Sequence, residues 1–403
     1  MTMAALAAKR VVTCDASWPG ILGAIDDAVV ILDGTHVVYV GPRARAPAKT
    51  PLIELGDRVI TPGLVDAHTH ACWLGSRHGE YAERMAGRDY QAIANAGGGI
   101  LATQRIVAAA SEEELAEALC ARVRRMATLG VTTVEVKTGY GLEPAYERKQ
   151  LAAIARVASR ADVPALLPTL LALHALPPSA KGSPANRAAF VASMASELIP
   201  EVARARLARF VDAYVDSGAF TTDEARIVAE AARREGLGVR MHVGQFADVG
   251  GAQLAAAVGA LSADHLEHIS REGIAALAAA KVAAILLPVA SLTLGQPPPP
   301  IPAMRAAGLP LVVASDANPG TAPTESLPLA MALAVRVYGL TPEEALLGAT
   351  RNAASALGLS DRGVLREGAR ADVVIWDLPH EQAIVQPWGV AKTHRVFVGG
   401  KEL

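Results

Sequence analysis

A chain of 403 residues that is 51% apolar has ample material for a large core, which excludes a disordered or fibrous protein. Its 38 Lys and Arg stand against 40 Asp and Glu, so there is no broad field to hold nucleic acid or an anionic membrane, and a small-molecule partner is expected. Three cysteines, Cys14, Cys72 and Cys120, offer no disulfide framework and suit a reducing cytosol. The first ten residues lack the basic start of a secretory signal. No apolar run reaches the roughly 18 residues of a membrane span. The nearest, 282–294, is interrupted by Pro288, Ser291 and Thr293.

At the start of the chain, 11–12, 28–32 and 36–41 read as short strands, the last two separated by Asp33-Gly34. From about residue 61 the pattern changes. Short β-branched or aliphatic runs at 60–65, 132–137, 165–173, 209–215, 239–243, 261–265, 283–287 and 311–315 alternate with helical patterns such as 112–129, 222–235 and 251–258. Eight such units suit a (β/α)8 TIM-type barrel over 61–360 in number and size. An open doubly wound sheet is the other arrangement, and the barrel is preferred because nearly every strand ends in a polar residue, as barrels require around their mouth. Pro297 to Pro300 reads as a stiff surface loop. Segments 371–377 and 395–398, the latter followed by Gly399-Gly400, are again strand-like. Residues 1–60 and 361–403 are therefore expected to build one small composite β-sandwich.

The first barrel strand runs into Asp66-Ala67-His68-Thr69-His70. Side chains two apart on a strand share a face, so His68 and His70 can reach one ion, at roughly 2.0–2.1 Å for zinc. Reading the other strand ends gives Lys137, His174, His242, His265 with His268, and Asp316. Of ten histidines, six lie at these ends, which core packing would not arrange. His268, beyond its strand, reads as a loop histidine. Three imidazoles, His68, His70 and His242, with the carboxylate of Asp316 make a hydrolytic metal set that leaves room for a water. Asp316 can accept the proton of that water, and His265 can polarise a carbonyl under attack. Cys72 continues the His68, His70 alternation as a possible soft ligand, but Trp73-Leu74-Gly75 marks the end of the strand.

The segment Pro62-Gly63-Leu64-Val65-Asp66-Ala67-His68-Thr69-His70 with Ser315-Asp316 resembles the amidohydrolase superfamily. Gly75-Ser76-Arg77, Asn95-Ala96-Gly97-Gly98-Gly99-Ile100, Lys137-Thr138-Gly139-Tyr140-Gly141-Leu142, Ser262-Ala263-Asp264-His265-Leu266-Glu267 and Ser315-Asp316-Ala317-Asn318-Pro319-Gly320-Thr321 are similar to the imidazolonepropionase family within it. That resemblance, over about 60–360, implies hydrolysis of 4-imidazolone-5-propanoate to N-formimidoyl-L-glutamate, the third step of histidine degradation. A metal-activated water would attack the ring lactam carbonyl, with one zinc or iron ion per chain. It also implies a cytoplasmic homodimer. His265, Asp316 and Gln245 form the implied catalytic set. Arg77 can clamp the propanoate through two parallel hydrogen bonds. Tyr140, His174 and Gln245 are implied to contact the substrate as well, with Asn318, Gly320 and Thr321 lining the pocket.

Two positions depart from the family pattern. His242-Val243-Gly244-Gln245 lacks an acidic residue common there, which leaves proton transfer to Asp316 and His265, since Gln245 can hydrogen-bond a ring nitrogen but cannot shuttle a proton. Ala317 stands where a large aromatic is frequent, which is expected to enlarge the pocket and keeps open a modified imidazolone or hydantoin carboxylate as substrate. A purine or pyrimidine deaminase would use the same ligands but needs a glutamate at position 245. A two-metal cyclic amidase would use Lys137 as a carboxylated bridge. A non-catalytic scaffold would be expected to have lost ligands that this chain retains.

Overall fold

The computed structural model describes residues 3–47, 51–89, 92–93 and 96–403. Five strands come first: β1 (Ala4–Val12), β2 (Ala24–Asp33), β3 (His36–Pro42), β4 (Leu52–Glu54) and β5 (Val59–Pro62). The next eight are β6 (Leu64–Asp66), β7 (Val131–Lys137), β8 (Ala165–Leu173), β9 (Phe210–Val215), β10 (Gly238–Val243), β11 (Ser262–His265), β12 (Ala283–Leu286) and β13 (Leu311–Val313). Three more, β14 (Val373–Trp376), β15 (Thr393–Val398) and β16 (Lys401–Glu402), end the chain.

The terminal strands form one mixed sheet in the order β16-β15-β14-β5-β1-β2-β3, with β4 also paired to β1. Gly34, at φ 55, lies in the turn between β2 and β3, where Asp33 pairs His36. Leu6, Val11 and Val30 from the first strands share an apolar cluster with Val373, Ile375 and Phe397 from the last. The two chain ends therefore bury each other, and the β-body expected of them is a single continuous sheet.

Strands β6 to β13 run parallel in sequence order. They are apolar along much of their length because a parallel barrel strand faces helices on one side and the barrel interior on the other. The helices Glu112–Ala127 and Thr222–Arg234 start at capping boxes, Ser111 with Glu114 and Thr221 with Glu224, which satisfy free N–H groups at each end. The apolar run 282–294 divides into β12 and the helix Pro288–Leu294, and among the described residues no helix is long and apolar enough to cross a membrane.

The run read as a single strand at 60–65 is two strands in two sheets, since β5 pairs β1 and β14 while β6 pairs β7. Gly63 is the hinge: a Cβ there would lie 2.1 Å from Thr132 Oγ1, so only glycine lets the chain pass β7 this closely. Gly63→Ala is expected to cost about 1–3 kcal/mol through overpacking. Urea unfolding tests this, and an unchanged midpoint would contradict it.

The seam between β6 and β13 is closed mainly by the residues that follow them. Asp66 accepts from Ser315 N at 3.0 Å and Ser315 Oγ at 2.5 Å, Asp316 N donates to His68 O at 3.0 Å, and His70 N donates to Ala317 O at 3.0 Å. Closing the barrel thus sets His68, His70 and Asp316 side by side.

Candidate functional site

His68, His70, His242 and Asp316 converge at the C-terminal mouth of the barrel. His68 Nε2 and His70 Nε2 lie 3.4 and 3.5 Å from Asp316 Oδ1, and His242 Nε2 lies 3.4 Å from His70 Nε2. A tetrahedral ion with ligands at about 2.0–2.1 Å would separate its ligand atoms by about 3.3–3.4 Å. His68 Nε2 and Asp316 Oδ1 are buried with no hydrogen-bond partner, a costly arrangement unless a cation joins them. Burial, more than any neighbour, holds His68, His70 and His242 well below the ordinary imidazole range, so they are neutral donors. Burial likewise pushes the Asp316 carboxyl up to about 7, outweighing the opposing pull of His265, the Asn318 hydrogen bond and Lys137. The donor set fits a divalent ion.

Beneath these ligands lies a fully buried ionic layer. Asp264 Oδ2 is 2.6 Å from His68 Nδ1 and Asp212 Oδ1 is 3.1 Å from His242 Nδ1, which fixes each ring with Nδ1 protonated and Nε2 turned to the ligand cluster. Lys137 Nζ donates to Asp212 Oδ2 at 2.7 Å and Glu135 Oε1 at 2.9 Å, and lies 3.6 Å from Asp264 Oδ2. Arg240 sits 3.6 Å from both Glu135 and Asp264. Burial works against the charge of Lys137, and Asp212 and Glu135 outweigh it, so its pKa is raised. A charged ammonium clasped by carboxylates is not positioned as a carboxylated bridge between two metals. The sequence reading missed Glu135, Asp212, Arg240 and Asp264; their signal was a charged residue inside a strand otherwise buried on both faces.

Above the ligands a cavity of about 260 Å³ is lined by His70, Arg77, Tyr140, His174, His242, Gln245, His265, Asp316, Asn318 and Thr321. These are nearly all the residues singled out from sequence. Its outer wall adds Lys181, Arg187, Tyr214, Phe220 and Phe246, which were not. Arg77, 7% exposed, donates from Nε to Thr103 Oγ1 at 3.0 Å and from an NH2 to Tyr140 OH at 3.4 Å, and no carboxylate among the described residues pairs with it. A buried guanidinium facing a cavity can pair with an anion there. The Tyr140 loop is held from behind by Glu147, which accepts from Gly139 N and Leu142 N, and by Gln150, which accepts from Tyr140 N and donates to Cys72 O.

His174 Nδ1 bonds Gly139 O at 2.7 Å, leaving Nε2 as an acceptor, and burial pushes its pKa down to about 4. Gln245 accepts from Tyr214 OH at 2.9 Å, leaving its amide N–H groups to donate into the cavity. Burial works to lower His265, and the carboxylates of Glu267, Asp316 and Asp264 together outweigh it, so its pKa is raised.

Several expectations shift in detail. The Asn318 side chain is spent on its own loop, donating to Asp316 O and accepting from Gly320 N and Thr321 N. Gly320 does not line the cavity; a Cβ on it would lie 2.5 Å from an Arg77 NH1, so its backbone packs against the guanidinium. Ala317 is wholly buried and lies outside the cavity lining, so it does not enlarge the pocket. Cys72 is a buried core thiol that burial pushes up to about 12, not a ligand. His268 bonds Gln296 at 2.8 Å beside the proline stretch, as a loop histidine. Of the glycine loop, Gly98 lines the cavity and Gly99 N donates to Glu80, while Asn95 lies outside the described residues.

The sequence profile of the amidohydrolase family matches residues 59–403. An imidazolonepropionase from Chromobacterium violaceum is 42% identical over 98% of this chain and 96% of its own. One from Rhizorhabdus wittichii is 43% identical over 94% and 95%. Among solved structures, a zinc-bound adenosine deaminase from Xanthomonas campestris superposes with TM-score 0.73 at 19% identity, covering 99% of this chain and 92% of that one, a likeness of fold alone.

Proposed function

Because the chain belongs to the imidazolonepropionases of the amidohydrolase family, we propose that this cavity hydrolyses 4-imidazolone-5-propanoate to N-formimidoyl-L-glutamate. The observation that carries the reading is Arg77, a buried cation with no carboxylate partner among the described residues, in the same cavity as the cluster of His70, His242 and Asp316. Its planar donors suit the propanoate of the substrate. Tyr140, His174 and Gln245 hold the ring, His174 as acceptor and Gln245 as donor.

His68, His70, His242 and Asp316 would hold one ion per chain, zinc or iron. Such an ion supplies Lewis acidity and lowers the pKa of water at the site to around 7. Asp316 accepts the proton the attacking water loses. His265 hydrogen-bonds the ring carbonyl oxygen as negative charge develops on it. The lactam C–N bond breaks, the carbonyl carbon becomes the new carboxylate, and the proton held on Asp316 passes to the departing ring nitrogen. Gln245 cannot take that proton, which also separates this site from a deaminase. The reading extends to a cytoplasmic homodimer, supported by the family resemblance; sedimentation of the purified protein tests the dimer.

Arg77→Ala is expected to raise KM about 10- to 100-fold, the worth of a charge-assisted hydrogen bond, with a smaller change in kcat. Steady-state kinetics test this, and an unchanged KM would place the carboxylate elsewhere.

A further inference from the structure

Two consecutive residues at the end of β11, His265 and Leu266, have φ of 83° and 73°, a left-handed conformation that residues other than glycine seldom adopt. The turn they make is a strained one, held by its surroundings. It brings Glu267, two residues on, back behind the His265 ring: Glu267 Oε1 lies 3.6 Å from His265 Nδ1. Glu267 is 5% exposed, and its carboxylate is in turn gripped from a distant part of the chain. Ser291 Oγ donates to Oε1 at 2.5 Å, and the Ser291 hydroxyl also bonds that of Tyr338. His265 Nδ1 and Glu267 Oε2 are both buried without a hydrogen-bond partner.

The unpaired His265 Nδ1 faces a carboxylate with acceptor capacity to spare, one oxygen shared with Ser291 and the other unpaired, and the pair gains by closing the remaining few tenths of an ångström, as hydrogen bonds in substrate-free sites do when substrate binds. We propose that Glu267, pinned by Ser291 and Tyr338, is a positioning residue that fixes the rotation of His265 by accepting from its Nδ1–H. The inference rests on the function proposed above and adds to it a residue that need not touch substrate. With Nδ1–H directed to Glu267, Nε2 is the ring nitrogen turned to the cavity. The run His242-Val243-Gly244-Gln245 carries no acid; the carboxylate that supports a catalytic imidazole here comes from the loop after β11.

The test compares wild type, Glu267→Gln and Glu267→Leu on the metal-loaded enzyme, by steady-state kinetics, metal content and nitrogen NMR of labelled histidines. Glu267→Leu is expected to lower kcat about 10- to 100-fold, the usual effect of losing a partner that orients a functional imidazole, with KM within about threefold. Glu267→Gln, which keeps an acceptor, falls between. The His265 Nδ1–H signal is expected at the downfield position of a proton shared with a carboxylate in wild type and to move upfield in Glu267→Leu, with the signals of His174 unmoved. Unchanged kcat in Glu267→Leu overturns the proposal, as does a loss in which metal content and the other histidines change together. If Glu267→Leu fails to fold, Glu267→Gln decides: kcat equal to wild type overturns the proposal. An active wild type with an unaffected variant defeats this inference alone, whereas an inactive metal-loaded wild type defeats the functional reading with it.

Discussion

Asp316→Asn is expected to give a folded protein whose kcat is lower by about 10²–10⁴-fold, the contribution of a positioned proton acceptor. The backbone argues that the fold survives. Asp316 has φ 54, a region that asparagine tolerates better than other replacements, and its role in closing the barrel runs through its own N–H to His68 O. The side chain argues that activity does not survive. Oδ1 is the atom on which His68 Nε2 and His70 Nε2 converge, and an amide there neither carries charge nor takes a proton at neutral pH. Metal content should fall as well. A melting temperature near that of wild type, read beside the kinetics, separates lost chemistry from lost structure. Retention of a tenth or more of wild-type kcat would show that the proton goes elsewhere.

Lys137→Met is expected to cost about 3–5 kcal/mol of stability, the loss that follows when one partner of a buried ion pair is removed. Lys137, Asp212, Glu135 and Asp264 have no exposed side-chain surface. Without the ammonium, three carboxylates remain with Arg240 as their main cation. Asp212 and Asp264 also orient His242 and His68, so metal affinity should fall about 10- to 100-fold, as for other partners that orient ligands. Urea unfolding of the metal-free protein isolates the stability cost, and chelator competition isolates the affinity. A variant as stable as wild type that binds metal equally well would mean the layer is spectator charge.

Much of this was legible in the sequence because the barrel writes it plainly. Strand ends face one mouth, so polar residues closing apolar runs, His68, His70, His242, His265 and Asp316, fall together once the runs are counted. The ionic layer was harder to read. Asp264 meets His68 and Asp212 meets His242 only after the barrel brings distant strands into register, and periodicity carries no such pairing. Loops were harder still. That Gly320 supports Arg77, that Asn318 is consumed by its own turn and that Ala317 is buried outside the cavity lining depend on how 316–321 bends, and residue types alone do not specify that. The split at Gly63 was hidden because two short strands in line look like one until the close approach of Thr132 is seen.

The most direct test of the whole account is turnover of freshly generated 4-imidazolone-5-propanoate by wild type, with the product identified by mass and metal counted per chain before and after chelation. The account predicts N-formimidoylglutamate from protein carrying one ion per chain, loss of turnover on chelation and its return when metal is restored. Metal-loaded wild type that leaves the substrate untouched, or that works equally well without metal, would contradict it.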